Sequence, residues 1–416
     1  MATKNTAKKQ PAKKQPAKVA DRRQPLIESV KLRNFKCFQE TELPFVYESN
    51  REAKALSGKW TCIGGINGSG KSAVLQALAL AMVGASRVLE LGGRRLERLR
   101  RLVDGRREVE AEISIRLRFG EGTPSVATRG VILREGDPRW IPRNHSFNPV
   151  PIIAGYGANR SISDVIQRRE TVSAPIQRVQ TLFDPLAPLA SADLLSEQSR
   201  QGDAVPITKE LIEGVFQGQL SVHWDKARSQ LMFQLGRTSL AAADLPDGFR
   251  SSAPWLADLC HQWMMREPGT TDLKTVAAIV LVDEIDQHLH PSLQRVFVPR
   301  LREALPNVQW IVTTHSPLIL GCFDKQEIII LNEHAPNRYL QPDRQILGFS
   351  PDEIYEVMME TKAGSGAWDE LVKNADTKDA KAELARLALA SPTKDDEAAK
   401  QQVDDVLDRL KDIEEP

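Results

Sequence analysis

The chain has 416 residues, of which 41% are apolar and 27% charged, and its formal net charge is +1. That length holds one large domain with insertions or two of ordinary size, and the composition is that of a globular protein with a sizeable core. No apolar run approaches the ~20 residues that span a bilayer and no signal-peptide pattern follows Met1, so the expectation is a cytoplasmic protein without a membrane partner.

Taken from the N-terminus, the first 23 residues hold six lysines and two arginines against one acid, with almost nothing apolar to bury. Residues 1–24 are therefore predicted to be a disordered basic tail. Two readings of it stay open: an arm that follows nucleic-acid phosphates through counterion release, or a solubilising tail that docks on the acidic C-terminus. The stretch "LIESVKLRNFKCFQETELPF" (26–45) alternates apolar and polar residues as a strand, a turn and a second strand. "KWTCIGG" reads as a short strand ending in glycines, and "GKSAVLQALALAMVGA" switches to helical spacing. In "LGGRRLERLRRLVDGRR", Leu91, Leu96, Leu99 and Leu102 fall near one helical face among seven arginines. That pattern suits a DNA-facing helix or a solvated basic face. In "REVEAEISIRLRF", Val109, Ala111, Ile113, Ile115, Leu117 and Phe119 alternate with polar residues, which predicts a half-exposed antiparallel strand.

From about 120 to 205 the chain is rich in proline and reads as loops, interrupted by the strand-like "PVPIIAGYG". Helices are predicted over 207–217, 250–266 and 291–304. Residues 277–282 form an apolar run without alternation, as in a strand covered on both faces. "VQWIVTTH" and "EIIILN" read as further strands. Beyond 350 the chain reads as mostly helical, with Val403, Val406, Leu407 and Leu410 in a stripe suited to packing on the body or on a partner subunit. Strands alternating with helices, together with antiparallel strands near the start, predict an α/β core with an antiparallel β subdomain.

The strongest chemical signal is "GINGSGKS", Gly65 to Ser72, which satisfies G-x-x-x-x-G-K-[ST] between a strand and a helix. In such a loop the glycines let backbone N–H groups turn inward around phosphate oxygens, and the helix N-terminus adds favourable potential. Gly65, Asn67, Gly68, Ser69, Gly70, Lys71 and Ser72 are the nucleotide-binding candidates. Lys71 supplies a point charge and the Ser72 hydroxyl a ligand for Mg²⁺. A second element is needed to hold the metal, and "IVLVDEID" supplies it: Asp283 for Mg²⁺, Glu284 as the base for the attacking water. His315, at the end of "WIVTTHSP", is placed to reach a γ-phosphate. The nearby His288 and His290 lack the further Cys or His ligands that a zinc site requires. Four scattered cysteines, Cys37, Cys62, Cys260 and Cys322, form no CxxC pair and read as buried thiols of a reducing compartment.

Together these residues resemble the ABC-type ATPases of the RecF/SMC/OLD-like branch, over roughly 26–47, 59–84 and 244–332. "LRNFKCF" (32–38) is similar to the opening strand motif of that branch, with Arg33 and Asn34 as further site candidates. "GINGSGKS" looks like its Walker A motif, "IVLVDEID" like Walker B, and His315 like its switch histidine. "LPDGFRS" (245–251) resembles the ABC signature through Leu245, Asp247, Gly248 and Arg250, though Pro246 and Asp247 depart from the transporter form. "DQHLHP" occupies the D-loop, with Asp286 and His290 as its candidates. "AGYGANR" (154–160) resembles a segment common in bacterial ATPases of this group, which makes Arg160 a candidate near phosphate.

The resemblance implies an α/β P-loop head with a mixed central sheet, an antiparallel β subdomain and a helical subdomain. It places the ATPase domain at 25–335, with an insertion at about 85–205, and leaves 336–416 as the helical C-terminal region. ATP and Mg²⁺ are the implied ligands. A homodimer or higher homo-oligomer is implied too, because one subunit's signature completes the other's nucleotide site. Two absences narrow the branch. Prolines between Ser72 and Leu245 leave no long heptad run for SMC-type arms, and the stretch after Leu331 lacks the buried acid cluster of an OLD-type nuclease. The chain thus resembles the stand-alone ATPase subunits of bacterial antiphage systems of the Septu and PARIS type, in which a separate effector, a nuclease or toxin, is controlled in trans. A RecF-like DNA repair ATPase and a nucleotide-dependent assembly scaffold are the alternatives.

Overall fold

The structure, a computed structural model, describes residues 25–45, 47–49, 55–57, 59–119, 125–134, 139–140, 152–160, 173–187, 189, 204–228, 230–335 and 337–342. The basic tail and the C-terminal helical stripe lie outside the described residues. Along the chain, β1 (Leu26–Phe35) and β2 (Phe38–Pro44) form the predicted hairpin, β3 (Trp60–Gly65) ends in glycines, and α1 (Lys71–Val83) follows. Then come β4 (Glu110–Phe119), β5 (Ser125–Arg134), β6 (Arg139–Trp140) and β7 (Ile153–Tyr156). Helix α2 (Ala204–Val215) precedes a meander of β8 (Leu220–Asp225), β9 (Gln230–Leu235) and β10 (Thr238–Leu240). The short α3 (Asp247–Arg250) leads into α4 (Ala253–Arg266), β11 (Ile279–Val282) and α5 (Pro291–Ala304). Strand β12 (Gln309–Thr313), α6 (Pro317–Leu320), β13 (Ile328–Leu331) and β14 (Tyr339–Leu340) complete the described fold.

The core sheet has the order β7-β11-β12-β3-β13-β14. Its first five strands run parallel and β14 pairs antiparallel with β13, so the sheet is mixed, as expected. Every residue of β3, β7, β11, β12 and β13 is buried. Cover on both faces is why these strands read as continuous apolar runs in the sequence.

Successive side chains leave opposite faces of each strand. Ile63, Leu281, Ile311, Ile329 and Leu331 join the core around α1. On the other side, Tyr156 and Trp310 meet Trp255 of α4, which also touches Phe297 of α5. Helix α1 packs against both the core sheet and strands β4 and β5. A helix held between two sheets has little need of a polar face, and Ala73 to Val83 are buried apart from Gln76. Helix α2 packs on α4 and α5, forming the helical subdomain.

The antiparallel sheet has the order β6-β5-β4-β1-β2. One buried side chain fastens it to the core sheet. Gln309, the first residue of β12, accepts the Ile27 N–H at 2.7 Å and donates to the Ile27 carbonyl at 3.0 Å. The amide thus acts as a short strand partner for β1, beside the slip in register between Ile27 and Ser29.

Four sequence expectations are corrected. The arginine-rich stretch 91–107 is not one helix: it breaks into a turn at Leu89–Leu91, a single helical turn at Gly93–Glu97 and two short strands, Leu102–Val103 and Arg106–Arg107. Asp104 and Gly105, both at positive φ, turn the chain back on itself. Arg100 and Arg107 then spend their guanidinium groups on backbone carbonyls at Arg98, Arg100, Glu108 and Val109. Val109 lies outside the alternating row and is 79% exposed.

Strand β5 falls in the region read as loops, because its inward row, Ala127, Arg129, Val131 and Leu133, is interrupted by a buried arginine. The helix predicted over 250–266 starts three residues later, at Ala253, after the separate short α3. Pro254 lacks an N–H and fits only the first turn, so a new helix starts after Ser252. The β8–β10 meander has no counterpart in the sequence reading.

Candidate nucleotide-binding site

The loop from Gly65 to Ser72 is shaped by backbone conformations that side chains resist. Gly65, Gly68 and Gly70 have φ of 138°, 81° and 107°. A Cβ on Gly65 would lie 2.7 Å from the Leu331 carbonyl oxygen, and one on Gly70 would lie 2.6 Å from Cys37 Sγ. The β1–β2 turn causes the second approach. Asn34 and Lys36, both at positive φ, set Cys37 and Phe38 against the loop, and the Cys37 thiol donates to the Ser69 carbonyl at 3.6 Å.

Helix α1 starts directly on Gly70, so its first amides have no partners within the helix. Lys71 is buried and its Nζ donates to the carbonyls of Gly65 at 2.9 Å and Ile66 at 3.0 Å. Burial lowers its pKa, while Asp283, Glu284 and Asp286 act to raise it. The Ser69 hydroxyl is buried without a hydrogen-bond partner, whereas Asn67, Gly68 and Ser72 are exposed. Free helix amides, an orphaned hydroxyl and a cation held by two carbonyls fit a phosphate chain with Mg²⁺.

Across the sheet, Asp283 follows β11 with its N–H on the Tyr156 carbonyl at 2.8 Å. Its carboxylate accepts the Thr313 hydroxyl at 2.5 Å, and the same oxygen of Thr313 accepts the Glu284 N–H at 2.8 Å. The Ile285 N–H returns to the Thr313 carbonyl at 3.0 Å. Thr314 donates to the Asp286 carboxylate. Glu284 is half-buried at φ 46°. His315 is also half-buried. Burial, then the Lys71 charge, lowers its pKa against the opposing pull of Glu284, Asp286 and Asp283. The structure therefore brings Lys71, Asp283, Glu284, Asp286 and His315 into one electrostatic neighbourhood at the ends of β3, β11 and β12.

The other candidates lie differently. Arg33 is exposed on β1, in register with Glu40 and Glu112, and Asn34 shapes the turn, its carbonyl accepting the Arg101 N–H at 2.8 Å. Leu245 is buried, while Asp247 and Arg250 are exposed and ion-paired to each other at 2.5 Å. Ser251 donates to the Gln287 carbonyl at 2.9 Å, and a Cβ on Gly248 would lie 3.2 Å from the His288 oxygen. The signature-like turn and the loop after Glu284 thus form one ridge. His290 caps α5, its Nδ1 2.9 Å from the Ser292 hydroxyl and accepting the Ser292 N–H, and His288 is exposed at φ 59°.

Arg160 is 5% exposed, and its guanidinium bonds backbone carbonyls within the protein. Burial pulls its pKa down to about 10, with Asp283, Asp286 and Glu284 opposing. Thr313 and Thr314 were not among the sequence candidates. The signal for them was two hydroxyl residues ending an otherwise apolar strand, next to the histidine. Among the described residues no three His, Cys, Asp or Glu side chains gather as a metal-holding group, and no helix is long and apolar enough to cross a membrane.

A family model whose description reads "AAA domain, putative AbiEii toxin, Type IV TA system" matches residues 61–321. The chain is 29% identical over 325 residues to the Septu protein PtuA of Bacillus mycoides (strain KBAB4), an alignment that covers 76% of this chain and 42% of that one. It is 36% identical over 106 residues to the Retron Ec83 probable ATPase of Escherichia coli, covering 26% of this chain and 20% of that one. The chain thus spans less than half the length of these two curated relatives. The solved SMC head domain from Thermotoga maritima superposes with a TM-score of 0.41 at 16% identity, covering 73% of this chain and 94% of that one.

Proposed function

The chain belongs to this AAA-domain family, and on that premise we propose that it hydrolyses ATP at sites completed by a second copy of itself and thereby controls a separate effector in bacterial antiphage defence. The observation that carries the reading is the meeting of Lys71 with Asp283, Glu284 and His315 beside the glycine loop. Lys71 and the α1 amides bind the phosphates, Ser72 and Asp283 would hold Mg²⁺, and Glu284 takes the proton of the attacking water. Bound there, Mg²⁺ neutralises charge on the phosphate oxygens. His315, whose pKa is lowered by burial and by Lys71, contributes a hydrogen bond to the γ-phosphate.

The ridge of Asp247, Gly248 and Arg250 points the proposal toward oligomers. Its polar residues are exposed beside the D-loop-like segment and available to a neighbour's nucleotide. Similarity to a Septu protein and to a retron ATPase supports the defence role, and a nuclease or toxin is the class of effector proposed with it.

The test is the mass in solution of Glu284→Gln with and without ATP and Mg²⁺, beside its turnover. A shift to a dimer or larger species with turnover lost supports the composite site. A mass that never changes while hydrolysis survives removes both Glu284 as base and the signature reading of 245–251.

A further inference from the structure

We infer that Arg160 is the positioning residue that ties the Glu284 backbone to the α3–α4 junction, so that the exposed Asp247–Arg250 turn and the water-activating carboxylate shift as one block. The inference rests on the ATP-hydrolysis reading and adds to it a link within one subunit between two nucleotide sites.

The geometry begins at the end of β11. In an extended strand successive carbonyls point to opposite sides, but a left-handed residue breaks that alternation. Glu284, at φ 46°, does so, and one nitrogen of Arg160, Nη2, donates to both the Asp283 carbonyl, at 2.6 Å, and the Glu284 carbonyl. A non-glycine residue persists in that conformation only where its surroundings over-determine it. Here Arg160 grips the two carbonyls while Thr313 holds the Glu284 N–H.

The same guanidinium reaches two other segments. Nε donates to the Gly157 carbonyl at 3.0 Å, and Nη1 donates to the Ser251 carbonyl at 3.3 Å, where α3 passes into α4. The flat group also lies 5.8 Å from the centre of the Trp255 ring on α4. Ser251 in turn fastens to Gln287, three residues past the base. A planar fork with five N–H directions can serve carbonyls on three segments at once, which a lysine ammonium on a flexible stem cannot. Movement of the Asp247–Arg250 turn, on which the neighbour's nucleotide is proposed to sit, is therefore delivered to the backbone of Glu284.

The test compares the full chain with its Arg160→Lys variant. The variant is expected to keep the rise in melting temperature with ATP and Mg²⁺ and a KM for ATP close to wild type. Its kcat should fall by about 10- to 100-fold, as when a group that orients a reacting side chain is lost. Hydrogen exchange in Glu284→Gln, which retains Arg160, gives a reading that survives a folding failure of the lysine variant. There, ATP is expected to protect the amides of 247–252 and 284–288 together. A lysine variant with wild-type kcat, or protection confined to one of the two segments, overturns the inference and leaves the ATPase reading standing. A wild-type chain without ATPase activity overturns both.

Discussion

Thr313 holds the Asp283 carboxylate at 2.5 Å with its hydroxyl and takes the Glu284 N–H on the same oxygen. One buried side chain on β12 thus orients both acids at the end of β11. Thr313→Val keeps nearly the same shape but leaves a buried amide and a carboxylate oxygen without that partner. The expected cost is about 1–3 kcal/mol of stability. Activity should also need more Mg²⁺, because Asp283 is no longer aimed. Denaturant melts and a Mg²⁺ titration of ATP turnover check both.

Gly70→Ala is expected to damage the phosphate loop more than its size suggests. The position has φ 107°, and the new methyl would meet Cys37 Sγ at 2.6 Å and Phe38 Cζ at 2.7 Å. The backbone term alone is about 1–2 kcal/mol. Adding Cys37→Ala relieves one contact and leaves the strain and Phe38, so the double variant should recover only part of the lost stability. Full recovery in thermal melts would show that the φ at Gly70 is unimportant.

Gln309→Leu removes both hydrogen bonds to Ile27 in a buried setting. Stranding two backbone groups costs about 1–3 kcal/mol each. The loss should appear first as faster hydrogen exchange in β1, while β3 and β11 keep their protection, because the amide joins the two sheets rather than either one internally.

Acid is expected to destabilise the fold through two histidines. His261 is 4% exposed and burial lowers its pKa from the ordinary 6.5. His315 is lowered in the same direction by burial and by Lys71. The unfolded chain binds these protons near 6.5 and the folded chain only at lower pH, so between those values the unfolded state carries more protons. Their contribution is complete above 6.5 and is lost as pH falls below it. Urea midpoints measured across that window should drop on acidification, and His261→Gln should flatten the slope.

Much of the candidate site's local structure was legible in the sequence. Gly65 to Ser72 is a local pattern: three positive-φ glycines and a lysine at the helix start are set by spacing along the chain, and neighbours only complete them. The Asp283–Glu284 pair was legible for a related reason, since two charges ending a continuous apolar run have few structural explanations. Arg160 was legible as a candidate but not in its role. Whether an arginine meets a phosphate or four backbone carbonyls depends on what Glu284 and Ser251 do far away in sequence. The 91–107 stretch misled because leucine spacing suggests a helix, while the Asp104–Gly105 turn and the carbonyl-seeking arginines act over only a few residues and outweigh it.

The sequence by itself determined the continuous apolar core strands, a helix after the glycine loop and the candidate phosphate and acid motifs, because burial on both faces and backbone conformation leave direct marks in residue choice. Only the tertiary structure decided the rest. It set Thr313 beneath both acids, Gln309 between the two sheets and Arg160 between Glu284 and Ser251. Each of these is a polar side chain whose partner lies on another strand or helix, and a hydrogen bond across such a distance leaves no periodic trace along the chain.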